Sequence, residues 1–269
     1  MAAALILEQA GYRTSLLEAR ADLGGGLIAS AAPPHKEMIE WHRQYLARKL
    51  SASDVELQMG LAPDADAIAA MRPDVVIVAT GSKARPAPFG GRDGKAVHDA
   101  YDLLMGGDSW LSALADGPIL VYGGGETGCE TAEYLALRGR QVLLVSRSPA
   151  KALARSAEFV YRHVLLARMA ANPLIEILSE TELAAVSVNT AELRAGDGTV
   201  RYETVAAVVV AQGREPNGDL VPQLHALGIP AHAIGDAVKG GRIGDAVQDA
   251  YAVVRKIATR HGEPVELAC

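Results

Sequence analysis

The sequence predicts an α/β chain of parallel strands and covering helices, and three observations carry that expectation. Short β-branched runs, notably residues 74–81 and 119–122, read as strands buried on both faces, the habit of parallel sheets. Stretches of helical periodicity alternate with such runs along most of the chain. Hydrophobic residues make up 49% and aromatics only 4%, with 27 glycines available for strand-to-helix turns. At 269 residues the chain can bury a sizeable core in one large domain or two ordinary ones.

Residues 1–9 have the pattern of a helix with Leu5 and the alanines on its packing face, ended by Gly11. Residues 13–18 read as a strand closing on Glu18, the position where a ribose-binding carboxylate belongs in a dinucleotide-binding βαβ unit. Gly24-Gly25-Gly26 and the stretch 32–37 are loop chemistry. A helix is expected from near Lys36 to Leu50, carrying Ile39, Leu46 and Leu50 with Trp41 and Tyr45. His35 and His42 are titratable, but no partner in the sequence orients them. Residues 55–59 suggest a short strand and 65–71 a helix or turn stopped by Pro73. The run 74–81 ends in Ala79-Thr80-Gly81, a prolyl and glycyl crossing follows that includes Gly91, and 99–105 reads as a short helix.

The stretch with the most chemistry is Ile119-Leu120-Val121-Tyr122-Gly123-Gly124-Gly125-Glu126-Thr127-Gly128. Four apolar residues form a strand, Gly123, Gly125 and Gly128 follow at G-x-G-x-x-G spacing, and a helix (129–139) and second strand (141–146) complete a βαβ unit. Gly123 permits the tight turn, Gly125 lets a pyrophosphate approach the backbone, and Gly128 lets the helix pack close to the strand. The unpaired N–H groups and dipole of the helix start then face the phosphates. The second strand ends in Ser146-Arg147-Ser148 with no acid, and an arginine with two hydroxyls suits a 2′-phosphate, which favours NADP over NAD.

Further along, 157–171 reads as a helix, and 175–178, 184–188 and 192–194 as strands, with Gly196-Asp197-Gly198 as a hairpin turn. Residues 204–210 are expected as one buried strand, followed by Gly213-Arg214-Glu215-Pro216-Asn217. Last come Ile234-Gly235-Asp236 and a helix over 243–260.

The totals exclude several classes. A net charge of −6 without a basic block argues against nucleic-acid binding. No run spans a bilayer, and residues 2–7 meet Glu8 too early for a signal peptide. The two cysteines, Cys129 and Cys269, form neither a disulfide framework nor a zinc pattern nor a C-x-x-C dithiol. Cys129 is expected as a small buried residue and Cys269 as a loose tail. The composition suits the cytoplasm.

The order Leu17-Glu18 with the glycines after it, Val78-Ala79-Thr80-Gly81, the G-x-G-x-x-G strand and Ile234-Gly235-Asp236 resembles flavoproteins in which an NAD(P) domain is inserted into an FAD domain. More narrowly, three stretches resemble the C-terminal half of the 2,4-dienoyl-CoA reductase and trimethylamine dehydrogenase group of the old yellow enzyme family. They are Leu23-Gly24-Gly25 leading to Pro33-Pro34-His35-Lys36-Glu37, then Gly125-Glu126-Thr127-Gly128-Cys129-Glu130-Thr131-Ala132, then Gly235-Asp236 with Arg242-Ile243-Gly244-Asp245-Ala246. The fold so implied is two Rossmann-like dinucleotide-binding domains, the NAD(P) domain (101–213) inserted into an incomplete FAD domain (1–100 and 214–269).

The resemblance implies roles for matching positions. Glu18 binds the FAD adenosine ribose, Gly25, Thr80 and Gly81 line the FAD domain, and Gly235 and Asp236 reach the FAD ribitol or pyrophosphate. The helix starting at Ile243 directs its dipole at the flavin pyrimidine. Gly123, Gly125, Glu126, Thr127 and Gly128 hold NADP, with Arg147 at its 2′-phosphate and Arg214 beside the nicotinamide nucleotide. Hydride passes from NADPH to FAD, and electrons continue through an iron–sulfur cluster to FMN in an upstream barrel domain or subunit. The opening FAD strand with its own glycine loop, the FMN barrel and the four-cysteine iron–sulfur site are all missing here, so an N-terminally truncated piece is expected. Cofactors carry this chemistry, so no acid, base, nucleophile or metal ligand is assigned. The alternatives are a non-catalytic adenine-nucleotide-binding module and an inactive fragment. Self-association into a homo-oligomer is left open.

Overall fold

Apolar β-branched runs do become parallel strands, and the helices between them bury their small and aliphatic faces. The computed structural model describes residues 1–90 and 97–261, with only the backbone described at 260 and 261. Gly91 and Cys269, both given roles above, lie outside the described residues. The chain runs α1 (Ala2–Gln9), β1 (Ser15–Glu18), α2 (Gly26–Ala31), α3 (Glu37–Ser51), β2 (Glu56–Met59), α4 (Ala65–Ala70), β3 (Val76–Val78), β4 (Ser82–Ala84) and β5 (Val97–Asp99). It continues α5 (Ala100–Ser112), β6 (Ile119–Tyr122), α6 (Glu126–Ala136), β7 (Val142–Val145), α7 (Phe159–Ala171), β8 (Ile175–Leu178), β9 (Thr181–Ser187), β10 (Thr190–Ala195) and β11 (Val200–Thr204). Last come β12 (Ala207–Val210), β13 (Arg214–Pro216), α8 (Leu220–Ala226), β14 (Ala231–Ala233) and α9 (Ile243–His261). No helix among the described residues is long and apolar enough to cross a membrane.

Two compact units result. One comprises Met1–Ile28, Met38–Lys83 and Arg214–Cys269, the other Ala29–Glu37 and Ala84–Gly213. The long segment of the second unit runs Ala84–Gly213, and within it β5 pairs in parallel with β12 (Val208 opposite Val97).

The second unit is built on a five-stranded parallel sheet of order β5-β12-β6-β7-β8. Every residue of β6, β7 and β12 is buried, as the apolar runs require. One face packs against α5, α6 and α7 through Leu103, Tyr134, Leu135, Leu165 and Met169. The other face, with Leu120, Tyr122, Leu143 and Val208, is covered by Leu183, Val186 and Leu193 of an antiparallel meander, β9-β10-β11. The strand order reverses at β6, where β7 lies to one side and β12 to the other.

The first unit holds two separate parallel pairs, β1 with β2 and β3 with β14. Helix α1 joins them by packing. Its Ala4 and Leu5 meet Leu16 and Leu57 of one pair, while Ile6 meets Val75, Ile77 and α9 on the side of the other. Helices α4 and α8 cover Val78 and Ala231 from elsewhere in this unit.

Several sequence expectations need correction. The run 204–210 is two elements, because β11 ends at Thr204, Val205 and Ala206 turn the chain, and β12 starts at Ala207. Helix α2 occupies part of the stretch read as loop. Helix α5 extends to Ser112 by crossing a non-helical Gly107 (φ 56°, ψ −138°). Helix α3 buries Leu50 but leaves Trp41 and Tyr45 exposed with Met38.

Candidate dinucleotide site

The glycine loop between β6 and α6 forms a tight backbone knot. Gly123 has φ +134°, a conformation other residues rarely adopt, and a Cβ there would strike the Ala211 carbonyl. A Cβ on Gly128 would fall inside contact distance of the Gly123 carbonyl oxygen, so α6 leaves the strand at closest approach. Gly124 is also sterically required: Leu153 Cδ2 lies 2.5 Å from where its Cβ would stand, beside the Ser146 hydroxyl. The sequence pattern does not mark Gly124, because its neighbours come from the far side of β7.

Gly125 differs. A Cβ there would meet nothing within 4 Å. It caps α6 with extended backbone (φ −70°, ψ 178°) and no side-chain cap. The first bond across the helix start is Cys129 N–H to Gly125 O (3.0 Å). The N–H groups of Glu126, Thr127 and Gly128 therefore lack a carbonyl one turn back, at the positive end of the helix dipole. Backbone donors, dipole and open approach at Gly125 fit a pyrophosphate. The loop also sits where the strand order reverses, between the carboxyl ends of β6 and β12.

Arg147 is exposed, and its Nη2 donates to Gln212 Oε1 (3.1 Å). Gln212 Nε2 donates in turn to the Tyr122 carbonyl (3.2 Å). Gln212 thus joins the end of β7 to the glycine loop, a link that sequence reading missed because it spans 65 positions. Ser146, expected to present its hydroxyl to the ligand, is buried and instead accepts from the Ser148 N–H (3.2 Å).

Behind the loop, α6 buries polar groups that need partners. Glu133 accepts two bonds from Arg168, at 2.5 and 2.9 Å. Glu130 accepts from the Tyr161 hydroxyl (2.8 Å) and pairs with Lys36, whose ammonium also lies 5.1 Å from the Tyr161 ring centre. Burial pushes the Glu130 carboxyl pKa up, and Lys36 pulls it partly back. Burial and the Glu130 charge push the Tyr161 hydroxyl up. Cys129 is buried as expected, and burial pushes its thiol up to about 12, which leaves it unreactive.

In the first unit, Glu18 is the last residue of β1, and Thr80–Gly81 and Gly235–Asp236 follow the carboxyl ends of β3 and β14, all parallel strands. Glu18 accepts from the Arg20 N–H through Oε1 (3.0 Å), leaving Oε2 available to a hydroxyl. It stands close enough to the start of α1 to oppose the lowering that burial imposes on the Met1 amine pKa. Asn217 draws the crossing together: Thr80 Oγ1 donates to its carbonyl, and its N–H donates to Gly81 O (3.0 Å). Gly218 then tucks against the Ala237 carbonyl. The sequence marks Asn217 only as the end of the stretch 213–217, with no role, and does not mark Gly218.

Asp236 accepts from the Gly241 N–H (3.1 Å), and Gly235 donates to Asp249 on α9 (2.9 Å). The α9 start at Ile243 is exposed, but Asp245 accepts from the Arg242 N–H (2.7 Å) and offsets part of its dipole. Arg214 donates through Nε to Ser82 Oγ (3.0 Å) and through Nη2 to Ser82 O (2.6 Å), which secures β13 beside β4. Gly25 has open space where a Cβ would go. His35 is exposed, and among the described residues no group of three or more His, Cys, Asp or Glu could hold a metal.

Two predictions follow from these contacts. Gly128→Ala should lower stability by about 1–3 kcal/mol through overpacking, whereas Gly125→Ala should leave the melting temperature close to wild type yet weaken nucleotide binding by about tenfold or more. Thermal unfolding with an NADPH fluorescence titration checks both. Because folding raises the Glu130 pKa, the folded chain keeps that proton to higher pH than the unfolded chain. This group's stabilising contribution is therefore complete below the ordinary value of 4.5 and falls as pH rises through the folded value. Glu130→Gln should remove that slope. Lys36→Met should extend it upward and reduce stability at neutral pH by about 1–3 kcal/mol. Denaturant unfolding across a pH series measures both slopes.

Comparison with known proteins agrees with this geometry. The family model described as pyridine nucleotide-disulphide oxidoreductase matches residues 1–238. An NADH oxidase of Thermoanaerobacter brockii is 33% identical over 262 residues, covering 96% of this chain and 39% of that protein. A bilirubin reductase of Mediterraneibacter gnavus is 31% identical over 252 residues, covering 93% of this chain and 38% of that protein. The chain therefore spans less than half the length of these curated relatives. A solved structure of 2-naphthoyl-CoA reductase with 2-naphthoyl-CoA superposes with a TM-score of 0.83 at 22% identity, covering 93% of this chain and 37% of that one, and shares the fold. With its family model matched over most of its length and its glycine loop intact, the chain belongs to the pyridine nucleotide-disulphide oxidoreductases, a family of FAD- and NAD(P)-dependent oxidoreductases.

Proposed function

We propose that this chain is the module of a larger flavoenzyme that takes a hydride from NADPH and delivers it to FAD. The observation that carries this reading is the glycine loop: an α6 start with open donors, and open space at Gly125, at the point where the parallel sheet reverses its order. Bound together, the nicotinamide supplies two electrons with a proton as hydride and the flavin accepts them. The chain's residues bind and orient. Gly123, Gly125, Glu126, Thr127 and Gly128 hold the pyrophosphate of NADPH, and Arg147 lies at its adenosine end. Glu18 holds the FAD ribose, Gly25, Thr80 and Gly81 line its domain, and Gly235, Asp236 and the α9 start at Ile243 reach toward its ribitol and ring. Arg214 keeps the crossing strands in register beside the nicotinamide.

The relatives' greater length supports an additional part, an upstream FMN and iron–sulfur barrel domain or subunit that receives the electrons. The final reaction is then of the 2,4-dienoyl-CoA reductase or amine dehydrogenase type, in the cytoplasm. The name pyridine nucleotide-disulphide oxidoreductase does not extend to dithiol chemistry here, since the sequence has two widely spaced cysteines and Cys129 is buried.

One observation favours a second reading. The strands of the first unit form two pairs, and no hydrogen bond joins β1 to β3 among the described residues. A sheet divided in this way suits an adenine-nucleotide-binding module that holds no flavin. An anaerobic visible spectrum of the chain, loaded with FAD and desalted, separates the two. A retained flavin band that bleaches with NADPH supports the hydride module, and no retained flavin supports the second reading.

A further inference from the structure

Strand β11 is an edge of the antiparallel meander, and among the described residues it pairs only with β10. All of it but Glu203 is exposed, Tyr202 at 66%. The phase of its backbone bonding is fixed at both ends. The Ala195 N–H donates to Thr199 O (2.9 Å), and the Val205 N–H donates to Asn189 O (2.8 Å). Between these points Leu193 stands opposite Arg201 and Ala191 opposite Glu203. Hydrogen-bonded and non-hydrogen-bonded pairs alternate along an antiparallel ladder, so Arg201 and Glu203 direct their backbone groups to β10. Val200, Tyr202 and Thr204 direct theirs outward, to an edge that no other described strand occupies.

An open edge of this kind is a template for another strand, and the side chains specify which strand fits. Arg201 and Glu203 lie on the same face as their buried partners Leu193 and Ala191. There Arg201 pairs with Glu203 and donates through Nη1 to Glu176 Oε1 on β8 (2.9 Å), which holds the two charges in place along the edge. Consider a second copy of β11 laid antiparallel and centred on Tyr202. Val200 then stands opposite Thr204 and Tyr202 opposite itself, each pair exchanging two backbone hydrogen bonds. Arg201 falls directly opposite Glu203 of the second copy at the closer, non-hydrogen-bonded spacing, and Glu203 opposite Arg201 of the second copy. The neighbouring registers, centred on Arg201 or on Glu203, set arginine against arginine or glutamate against glutamate, which is destabilising. The charge order of β11 is therefore complementary to itself in one register and repels the registers beside it.

We propose that β11 is a self-association strand: two copies of this chain join their β11 edges about a two-fold axis at Tyr202, so that two meanders become one antiparallel sheet. The contact is isologous and uses the edge completely, so assembly through it stops at two copies. This proposal is independent of the nucleotide reading of the glycine loop.

Sedimentation velocity of the full chain from about 1 μM to 1 mM, with melting temperatures measured alongside, tests it. The wild type should pass from one copy to two across that range and form nothing larger. Arg201→Glu and Glu203→Arg, each alone, put like charges opposite one another at both symmetry-related positions and should weaken association by about tenfold or more. Mixed in equal amounts, the two variants should associate again, because the carboxylates of one then face the guanidinium groups of the other. Loss of the Glu176 contact within one chain cannot produce that recovery. Tyr202→Pro removes an outward N–H that β10 does not use, so it should abolish the dimer with little change in melting temperature, and it keeps the test decisive if a charge variant fails to fold. A wild type that remains a single copy up to about 1 mM overturns the proposal. So does a dimer that survives Tyr202→Pro or either charge variant, a mixture of folded charge variants that fails to associate, or growth beyond two copies.

Discussion

Everything at the site depends on how closely α6 starts against the end of β6. Gly128 has no room for a Cβ against the Gly123 carbonyl, and Gly123 has none against Ala211 at the end of β12. Three backbone segments therefore meet without an intervening side chain. This contact brings the α6 start to the crevice where the sheet reverses order, and it leaves Gly125 as the member of the loop with open space before it.

Such close packing has an electrostatic consequence. Helix α6 is buried along almost its whole length, and it carries Glu130, Thr131 and Glu133 into the interior. Buried carboxylates without partners are costly. Lys36 and Tyr161 meet one, Arg168 meets the other, and Thr131 bonds back to the Thr127 carbonyl. Lys36 belongs to the short segment Ala29–Glu37, which joins the second compact unit although its sequence neighbours on both sides belong to the first. The pair with Glu130 is one contact that keeps that segment there.

The sequence made the parallel architecture and the glycine loop legible because both are local signals. Buried strands announce themselves as apolar runs, and G-x-G-x-x-G needs only its flanking strand and helix. What escaped notice is long-range or marginal. The Lys36–Glu130 pair spans 94 positions, and Gln212 reaches Arg147 across the sheet. Gly124 matters because of Ser146 and Leu153, which lie beyond the next strand. Helix α2 begins inside a glycine run that reads as loop. Strand β11 is mostly exposed, so it lacks an apolar face to mark it. Trp41 and Tyr45 lie on α3, whose helical pattern was legible, yet both are exposed. In the first unit the sequence showed the three strand ends bearing Glu18, Thr80–Gly81 and Gly235–Asp236, but not the Asn217–Gly218 link that clips two of them together.

The account's central claim is that the bare start of α6 is a phosphate site. Hydrogen exchange at the backbone amides of Glu126, Thr127 and Gly128, measured with and without NADP, tests it most directly. Those three N–H groups have no carbonyl one turn back along α6, so the account predicts that they exchange quickly in the free chain and are strongly protected by the nucleotide. Exchange at all three that NADP leaves unchanged, while amides elsewhere become protected, would contradict the account.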